Sequence, residues 1–443
     1  MVPHDEGRKA IGSFDRTVPP RETIATARRL CERYGVTRLA DTTRLDRIGI
    51  PTINAIVPES PAGIGVYSGK GLTRDAATAG ALMEAVERQI CARFEGIATR
   101  SVPAGEVDRK IGLRALGWLG PAEPVATRLQ CADAVDLITG APVPVPRGTV
   151  QYPPTGRREF AYYSTNGLAS GNTWLEAVYH GLMELIERHL WSQAHVLAHL
   201  WPRMLRVRSG LQAEGPDDPV CAEVLGGDED TLLADPIARV RGAGLRFRLL
   251  SLARARWPVA MMATIAEPRG SPLYYHIGFG CSWSPRHAAI RAITEAAQAR
   301  LTDIQGCRED ILGAGAPARG ALEHGRRPAA LPPTGRWFYD GPAGSVRLGA
   351  LPDESAPHLG TDVQRALDVI RGLGGPVACV DLAPPGCPVS VVRLVAPYLE
   401  RTLVDGTISG PMGKMMDDPL AARAAPQDLG VFPDASHTGA PVR

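Results

Sequence analysis

The chain has 443 residues, long for a single core, with 49 basic against 47 acidic residues and a net charge of +2. Nothing in that balance argues for a nucleic-acid or membrane partner, and neither is expected. No run approaches the roughly 18 apolar residues of a membrane-spanning helix, and the opening MVPHDEGRKAIGSFDR holds no signal-peptide core, so a cytoplasmic location is expected.

In chain order, residues 1–20 read as loosely structured. Thr23 to Arg33 reads as a helix, with Ala25, Ala27, Leu30 and Cys31 on its apolar side. Two short strand-like runs follow within GVTRLADTTRLDRIGIPTINAIVP, Pro51 leading into the second. Residues 63–69 read as a strand ending in Ser68-Gly69-Lys70-Gly71, which lacks the spacing of a G-x-x-x-x-G-K-[ST] phosphate loop. A long helix comes next. Residues 130–151 alternate apolar and polar between prolines and glycines, a strand pattern, and Ser164-Thr165-Asn166-Gly167 turns toward a second long helix capped at Asn172-Thr173. Residues 207–231, with the acidic run Asp228-Glu229-Asp230, read as an exposed insertion. FRLLSLA, VAMMATIA and YYHIGFGCS read as strands leading to a third helix near 285–301. Residues 307–345, rich in Gly, Pro and Arg, read as a long loop. A helix over 363–373, the strands PVACVDLA and VSVVRLVAP, and a flexible tail from Asp405 complete the chain. The expected fold is mixed α/β, built from repeated strand–turn–helix units. Its domains are an N-terminal segment 1–62, a core 63–400 with insertions near 207–231 and 307–345, and a tail 401–443.

The first two long helices repeat one another. GKGLTRDAATAGALMEAVER at 69–88 aligns without a gap to ASGNTWLEAVYHGLMELIER at 169–188, so that Leu82-Met83-Glu84 falls on Leu182-Met183-Glu184 and Glu87-Arg88 on Glu187-Arg188. A fainter third copy, GCSWSPRHAAIRAITEAAQAR at 280–300, has Glu295 in place of Glu84 and Gln298 in place of Glu87. On a helix, Leu82, Met83, Val86 and Ile90 make one apolar stripe, while Glu84, Glu87, Arg88 and Cys91 share another face. A lone Glu-x-x-Glu-Arg is ordinarily a solvated face with an internal ion pair. Two matched copies point instead to four carboxylates gathered in one place, which repel unless a cation joins them. All-oxygen ligands on rigid helices suit Mg²⁺, and Mg²⁺ with open positions suits a nucleoside triphosphate. The eight cysteines are scattered without a C-x-x-C pair, the usage of reduced thiols, and Cys91 reads as a buried filler.

At these residues the chain resembles the YcaO family, ATP-using enzymes that modify peptide backbones. The likeness runs from about Arg16 to Glu400, through the glycine turn with LMEAVER, NGLASGNT with LMELIER, the EAAQAR segment and the VDLA…VVRLVAP strand pair. It implies a YcaO-type ATP-binding fold, with ATP and Mg²⁺ as cofactors. It gives metal roles to Glu84, Glu87, Glu184 and Glu187, and nucleotide contacts to Asn172, Glu176 and Arg188. Arg16 and Thr23 match an N-terminal Lys/Ser pair that contacts ATP in relatives, and Gln298 and Arg300 fall near the phosphates. Gly80 stands where many relatives have a serine. Relatives that form azolines end in a P-x-P-x-P tail, whereas this chain ends GAPVR. The stretch ERYGVTRLADTTRLDRIGIPTINAI looks like the branch that makes thioamides with a small TfuA-type partner.

The resemblance thus implies a peptide or protein substrate, a TfuA-like sulfur-delivering or activating partner, no nucleic acid and no membrane, with a homodimer left open. The expected reaction is ATP-driven exchange of an amide oxygen for sulfur. Azoline formation, an accessory role in methylthiolation of a ribosomal protein, and a nucleotide-binding scaffold are the alternatives. No catalytic base is assigned; His180 and His189 are candidates, though histidines beside such a cluster are more often structural.

Overall fold

Residues 6–10, 14–120, 127–156, 159–160, 164–197, 221–252, 255–268, 275–306, 344–402 and 408–409 are described in this computed structural model. They form three principal sheets, each carrying one long helix. β1 (Arg38–Asp41), β2 (Thr52–Ile56) and β3 (Val66–Lys70) make the first, in that order, and β3 runs into α2 (Arg74–Arg93). α1 (Pro20–Arg28) packs against α2. The second sheet runs β4 (Thr99–Pro103), β5 (Arg128–Asp136), β13 (Ala378–Asp381), β14 (Ser390–Val395), β7 (Leu168–Gly171), with β6 (Pro142–Pro146) also on β5. α3 (Ala104–Ile111) and the single turn α4 (Arg147–Val150) flank it, and β7 leads into α5 (Trp174–His195). The third runs β11 (Tyr275–Ser282), β10 (Val259–Ala266), β9 (Arg246–Ser251), β8 (Ala222–Leu225), β12 (Gly344–Arg347). α6 (Ala234–Gly242) lies between β8 and β9 in sequence, and β11 leads into α7 (Pro285–Gln305). α8 (Leu359–Arg371) packs on α5. Pairing in the three sheets is antiparallel except between β8 and β12.

The long helices start and seat themselves in a common way. Thr73 caps α2 by accepting from the Ala76 N–H, and Thr173 caps α5 by accepting from the Glu176 N–H. Leu82, Val86, Leu182 and Ile186 are wholly buried, so the two apolar stripes face cores as their spacing predicts. Glycines let helix backbone rest directly on strand: a Cβ on Gly69 would lie 2.0 Å from the Ala77 carbonyl, and one on Gly278 would lie 2.1 Å from the Ala296 nitrogen. Any side chain at either point would force helix from sheet.

Several expectations are corrected. The first helix starts earlier, at Pro20, and gives way to turns after Arg28, because Pro at the first helical position presets the backbone there. Residues 222–225, expected in an exposed insertion, are β8, and Val224 is buried. The acidic run beside it is exposed at Asp228 and Glu229 as expected, with Asp230 meeting Arg286 at 2.7 Å and Asp228 meeting Arg241 at 2.6 Å. The N-terminal segment is anchored: Lys9 bridges Asp15 at 2.7 Å and Asp362 at 2.6 Å, and its N–H donates to the Pro357 carbonyl. Residues 207–220, 307–343 and most of the tail lie outside the described residues.

Candidate functional site

α2, α5 and α7 present their polar faces to one cavity of about 810 Å³. Glu84 and Glu87 of α2, Glu184 and Glu187 of α5 and Glu295 of α7 all line it, together with Arg88, Arg188 and Arg291. A second cavity of about 600 Å³ shares Arg16, Ser68, Lys70, Gly80, Glu84 and Arg291 with the first, and Phe14, Val18, Pro19, Thr23 and Leu72 give it a more apolar wall. The four glutamates expected together are therefore together in one cavity. They are spread along its wall: among the described residues no three acidic, histidine or cysteine side chains converge as a ready-made metal cluster.

The electrostatics of this wall are unbalanced. Burial pushes the Glu87 carboxyl up to about 8, with Glu84 adding to the effect and Arg88 opposing it. Burial pushes Glu187 up to about 7, helped by Glu295 and opposed by Arg188. Glu184 is also raised by burial, although Arg188 and the Gly167 N–H, which donates to it at 3.1 Å, oppose the shift. Burial favours the neutral form of Glu295 too, but Lys70, its ion-pair partner, and Arg188 outweigh it and hold that carboxyl below the ordinary value. Cationic donors stand nearby without hydrogen-bond partners: the buried Nε atoms of Arg88, Arg188 and Arg291. Carboxylates that burial discourages from ionising fit an added cation, and unspent guanidinium N–H groups fit an added anion. A magnesium phosphate supplies both, and Mg²⁺ characteristically takes only one or two carboxylates plus phosphate and water oxygens, which suits a dispersed set.

The remaining expected residues divide. Arg16 lines both cavities, and Thr23 and Asn172 line the second. Glu176 lines neither: fully buried, it accepts from the Thr17 N–H and hydroxyl at 2.5 and 2.9 Å and from the Asn172 backbone and side chain at 2.6 and 2.8 Å. It ties the N-terminal segment to the start of α5. Gln298 lines the first cavity but spends its amide on the Ser68 carbonyl. Arg300 is not brought to the site; it is buried against Asp46 at 3.0 Å and Glu267 at 2.6 Å. Two residues beyond Gln298 is about 200° around a helix, which turns it to another side.

His180 lines the first cavity 3.5 Å from Arg291, and burial together with Arg16 and Arg291 holds it well below the ordinary histidine value. His189 is structural: its Nδ1 accepts from the Glu400 N–H at 2.9 Å, its Nε2 meets Gln193 at 3.1 Å, and burial lowers it to about 3. Cys91 is buried and points at the Val150 carbonyl. The sequence reading missed Lys70, Arg291 and the His276–Asp303 pair as cavity groups. Lys70 was passed over because its loop fails the phosphate-loop spacing. Arg291 had a signal: it precedes Glu295 and Gln298 at i, i+4, i+7 on one face.

Two strand-seated helices bringing paired carboxylates, a third bringing one, and arginines on the same cavity wall make a lining suited to a phosphate with its metal ions. Residues 68–400 match the model of the YcaO cyclodehydratase family, described as ATP- and Mg²⁺-binding, and the chain belongs to that family. It is 33% identical over 398 residues to an uncharacterised protein of Methanothermobacter thermautotrophicus, covering 88% of this chain and 96% of that one. It is 34% identical over 307 residues to an uncharacterised protein in the tfuA 3′ region of Rhizobium leguminosarum bv. trifolii, covering 67% and 69%. Among solved structures, it superposes on YcaO from Methanopyrus kandleri bound with AMPPCP and Mg²⁺ with a TM-score of 0.65 and 25% identity, covering 90% of this chain and 97% of that one. A heterocyclase in complex with substrate and cofactor shares the fold at 19% identity and a TM-score of 0.63, covering 90% of this chain and 54% of that one. No helix among the described residues is long and apolar enough to cross a membrane.

Proposed function

We propose that this chain uses Mg·ATP to convert a peptide or protein backbone amide into a thioamide, with sulfide delivered by or together with a TfuA-like partner. The observation that carries the ATP reading is one cavity lined by Glu84, Glu87, Glu184 and Glu187 together with Arg88, Arg188 and Arg291, whose Nε atoms have no hydrogen-bond partner. Glu84, Glu87, Glu184 and Glu187 hold the magnesium ions, while Arg188, Arg291 and Lys70 face the phosphates. Thr23, Asn172 and the apolar wall of the second cavity take the nucleoside, with Arg16 at the junction. Glu176 acts through Asn172 and the N-terminal segment, and Arg300 has no part in the site. The units β3–α2, β7–α5 and β11–α7 are read as copies of one ancestral unit, the third having kept a single carboxylate.

Bound Mg·ATP supplies the phosphoryl group that makes an amide oxygen a leaving group. The chain's task is to hold peptide, sulfide and phosphate in line and to stabilise charge with its arginines. In the balanced reaction the amide oxygen leaves as hydrogen phosphate, which ends with the proton lost by the hydrosulfide that supplies the sulfur, and ADP is released. The relative encoded beside tfuA supports the thioamide branch. Azoline formation remains the rival because the family model bears the cyclodehydratase name.

Mass spectrometry separates the two. The cognate peptide is incubated with the chain, ATP, Mg²⁺ and the TfuA-like partner, with and without sulfide. Thioamide formation raises the peptide mass by the difference between sulfur and oxygen, and only when sulfide is supplied. A product lighter by one water, formed without sulfide, would reassign the chain to azoline formation.

A further inference from the structure

β11 is the end strand of its sheet, and among the described residues β10 is its one strand neighbour. Two observations fix which of its backbone groups point outward. The Leu252 N–H, just past β9, donates to the Ala260 carbonyl at 2.8 Å, so even-numbered residues of β10 turn toward β9 and odd ones toward β11. Met261 is opposite Gly280 and Ala263 is opposite Gly278, so the even residues of β11 bond β10. Tyr275, Ile277 and Phe279 then turn their N–H and C=O groups away from the sheet. The Phe279 N–H bears this out, donating to Glu295 Oε1 at 3.4 Å.

That acceptor lines the acidic cavity, and so do His276 and Ile277. The open edge of β11 is therefore one side of the cavity that holds the carboxylates. Ile277 packs partly buried against the core and lines the cavity, and its N–H and C=O are turned to the outer side of the sheet. Next to it His276 bonds Asp303 through Nε2 at 2.9 Å and keeps a buried Nδ1 without a hydrogen-bond partner. Unpaired strand edges invite another strand, and proteins ordinarily blunt them. Among the described residues no second strand pairs with this edge, and at Ile277 it borders a cavity.

We propose that an extended segment of the peptide substrate adds to β11 as a further strand and exchanges backbone hydrogen bonds with Ile277. The inference rests on the peptide-modifying reading above and names how that peptide is held. Recognition through backbone groups selects extended, unfolded segments and asks little of the side chain opposite Ile277. It also selects which amide reacts. Residues of an added strand alternate between bonding β11 and facing away. Carbonyls facing away enter the remaining cavity, while those bonded to the edge are protected, so modification falls on every second amide of the docked stretch at most.

The test uses the full chain with Mg²⁺ and AMPPCP, and two pools of capped octapeptides of random sequence, one with ordinary and one with N-methylated backbones. Retention on the protein is read by mass spectrometry after gel filtration. The ordinary pool is expected to be retained about tenfold over the N-methylated pool. Ile277→Pro, which removes an N–H that the sheet does not use, should abolish that difference, whereas Ile277→Ala should preserve it. Unfolding midpoints identify any variant that fails to fold, and the comparison of pools on the wild-type chain stands without the variants. Equal retention of the two pools, or preference undiminished in a folded Ile277→Pro chain, would overturn the edge as the peptide site. Hydrogen-exchange protection of the Ile277 amide in the chain alone would overturn it too, because a segment of the same chain would then occupy the edge. Calorimetry of Mg·AMPPCP without peptide tests the underlying reading separately: its failure sinks that reading, whereas nucleotide binding with equal peptide retention sinks only the edge.

Discussion

Glu187 and Arg300 are both buried, charged side chains on long helices, yet opposite outcomes are expected when they are replaced. Glu187 sits in a cavity where burial already favours its neutral form. Glu187→Gln, like Glu84→Gln, should weaken Mg·ATP binding at least tenfold by calorimetry. It should not lower the unfolding midpoint, since an amide is cheaper to bury than an ion. Wild-type affinity in a folded variant would remove the metal assignment. Arg300 instead neutralises Asp46 and shares Glu267 with Arg47. Arg300→Ala strands a buried carboxylate and should cost about 3–5 kcal/mol in denaturant unfolding. The nucleotide affinity of the folded fraction should stay unchanged. The sequence could reveal the glutamates because they recur in matched surroundings one hundred residues apart. It could not reveal Arg300's partners, which come from a loop near residue 46 and the end of β10. Nor did it reveal Lys70, whose importance comes from Glu295 on another helix.

At the scale of elements, local patterning was most informative where it repeats every turn or every second residue. The stripes of α2 and α5 and the strand runs of β9, β10 and β11 fall where the sequence puts them, because periodicity reports burial directly. Contacts between helix and strand backbones are less visible, since only a glycine marks them. Gly69→Ala places a methyl group 2.0 Å from the Ala77 carbonyl and should destabilise by about 3 kcal/mol or more. Loss of nucleotide binding should follow, because α2 carries Glu84 and Glu87. Unaltered denaturant midpoints would mean that the helix can step back freely. The N-terminal segment has no periodicity at all, which is why its anchoring was illegible. It is held by charges: Lys9 between Asp15 and Asp362, and Asp15 also by His287 at 3.2 Å and the Ser282 hydroxyl at 2.8 Å. Burial raises the Asp15 carboxyl, but the hydrogen bond and charge of His287, together with Lys9, outweigh it and hold the group well below its ordinary value. A depressed carboxyl stabilises the fold above its unfolded value of 3.8 and loses that contribution as pH falls below it. Acid titration of stability should therefore steepen below about pH 4 in the wild type and flatten there in Asp15→Asn. An identical acid limb in the two chains would mean the segment is held by something else.

For the molecule as a whole, the fold class was legible and the construction of the site from separate sheets was only half so. Each glutamate pair could be found on its own helix. That Lys70 of the first sheet, Glu187 beside the second and Arg291 beside the third would share one cavity depends on packing that no single segment encodes. The N-terminal segment joins them through Thr17 and Glu176, and Arg16 completes the wall shared by the two cavities. A ligand spanning both cavities would thus touch elements whose own cores are distinct, and should couple their stabilities. Mg·AMPPCP at about a hundred times its dissociation constant is expected to stabilise the chain by about 2.7 kcal/mol. Hydrogen exchange should locate that gain in four places at once: residues 14–23, the turn after β3, the middle of α5 and the middle of α7. AMPPCP without Mg²⁺ should give much weaker protection, since its phosphates would then face Glu84, Glu87, Glu184 and Glu187 without a cation between them. Protection confined to one sheet and its helix, or protection equally strong without magnesium, would mean that the nucleotide does not bridge the cavities and that the carboxylates serve another purpose.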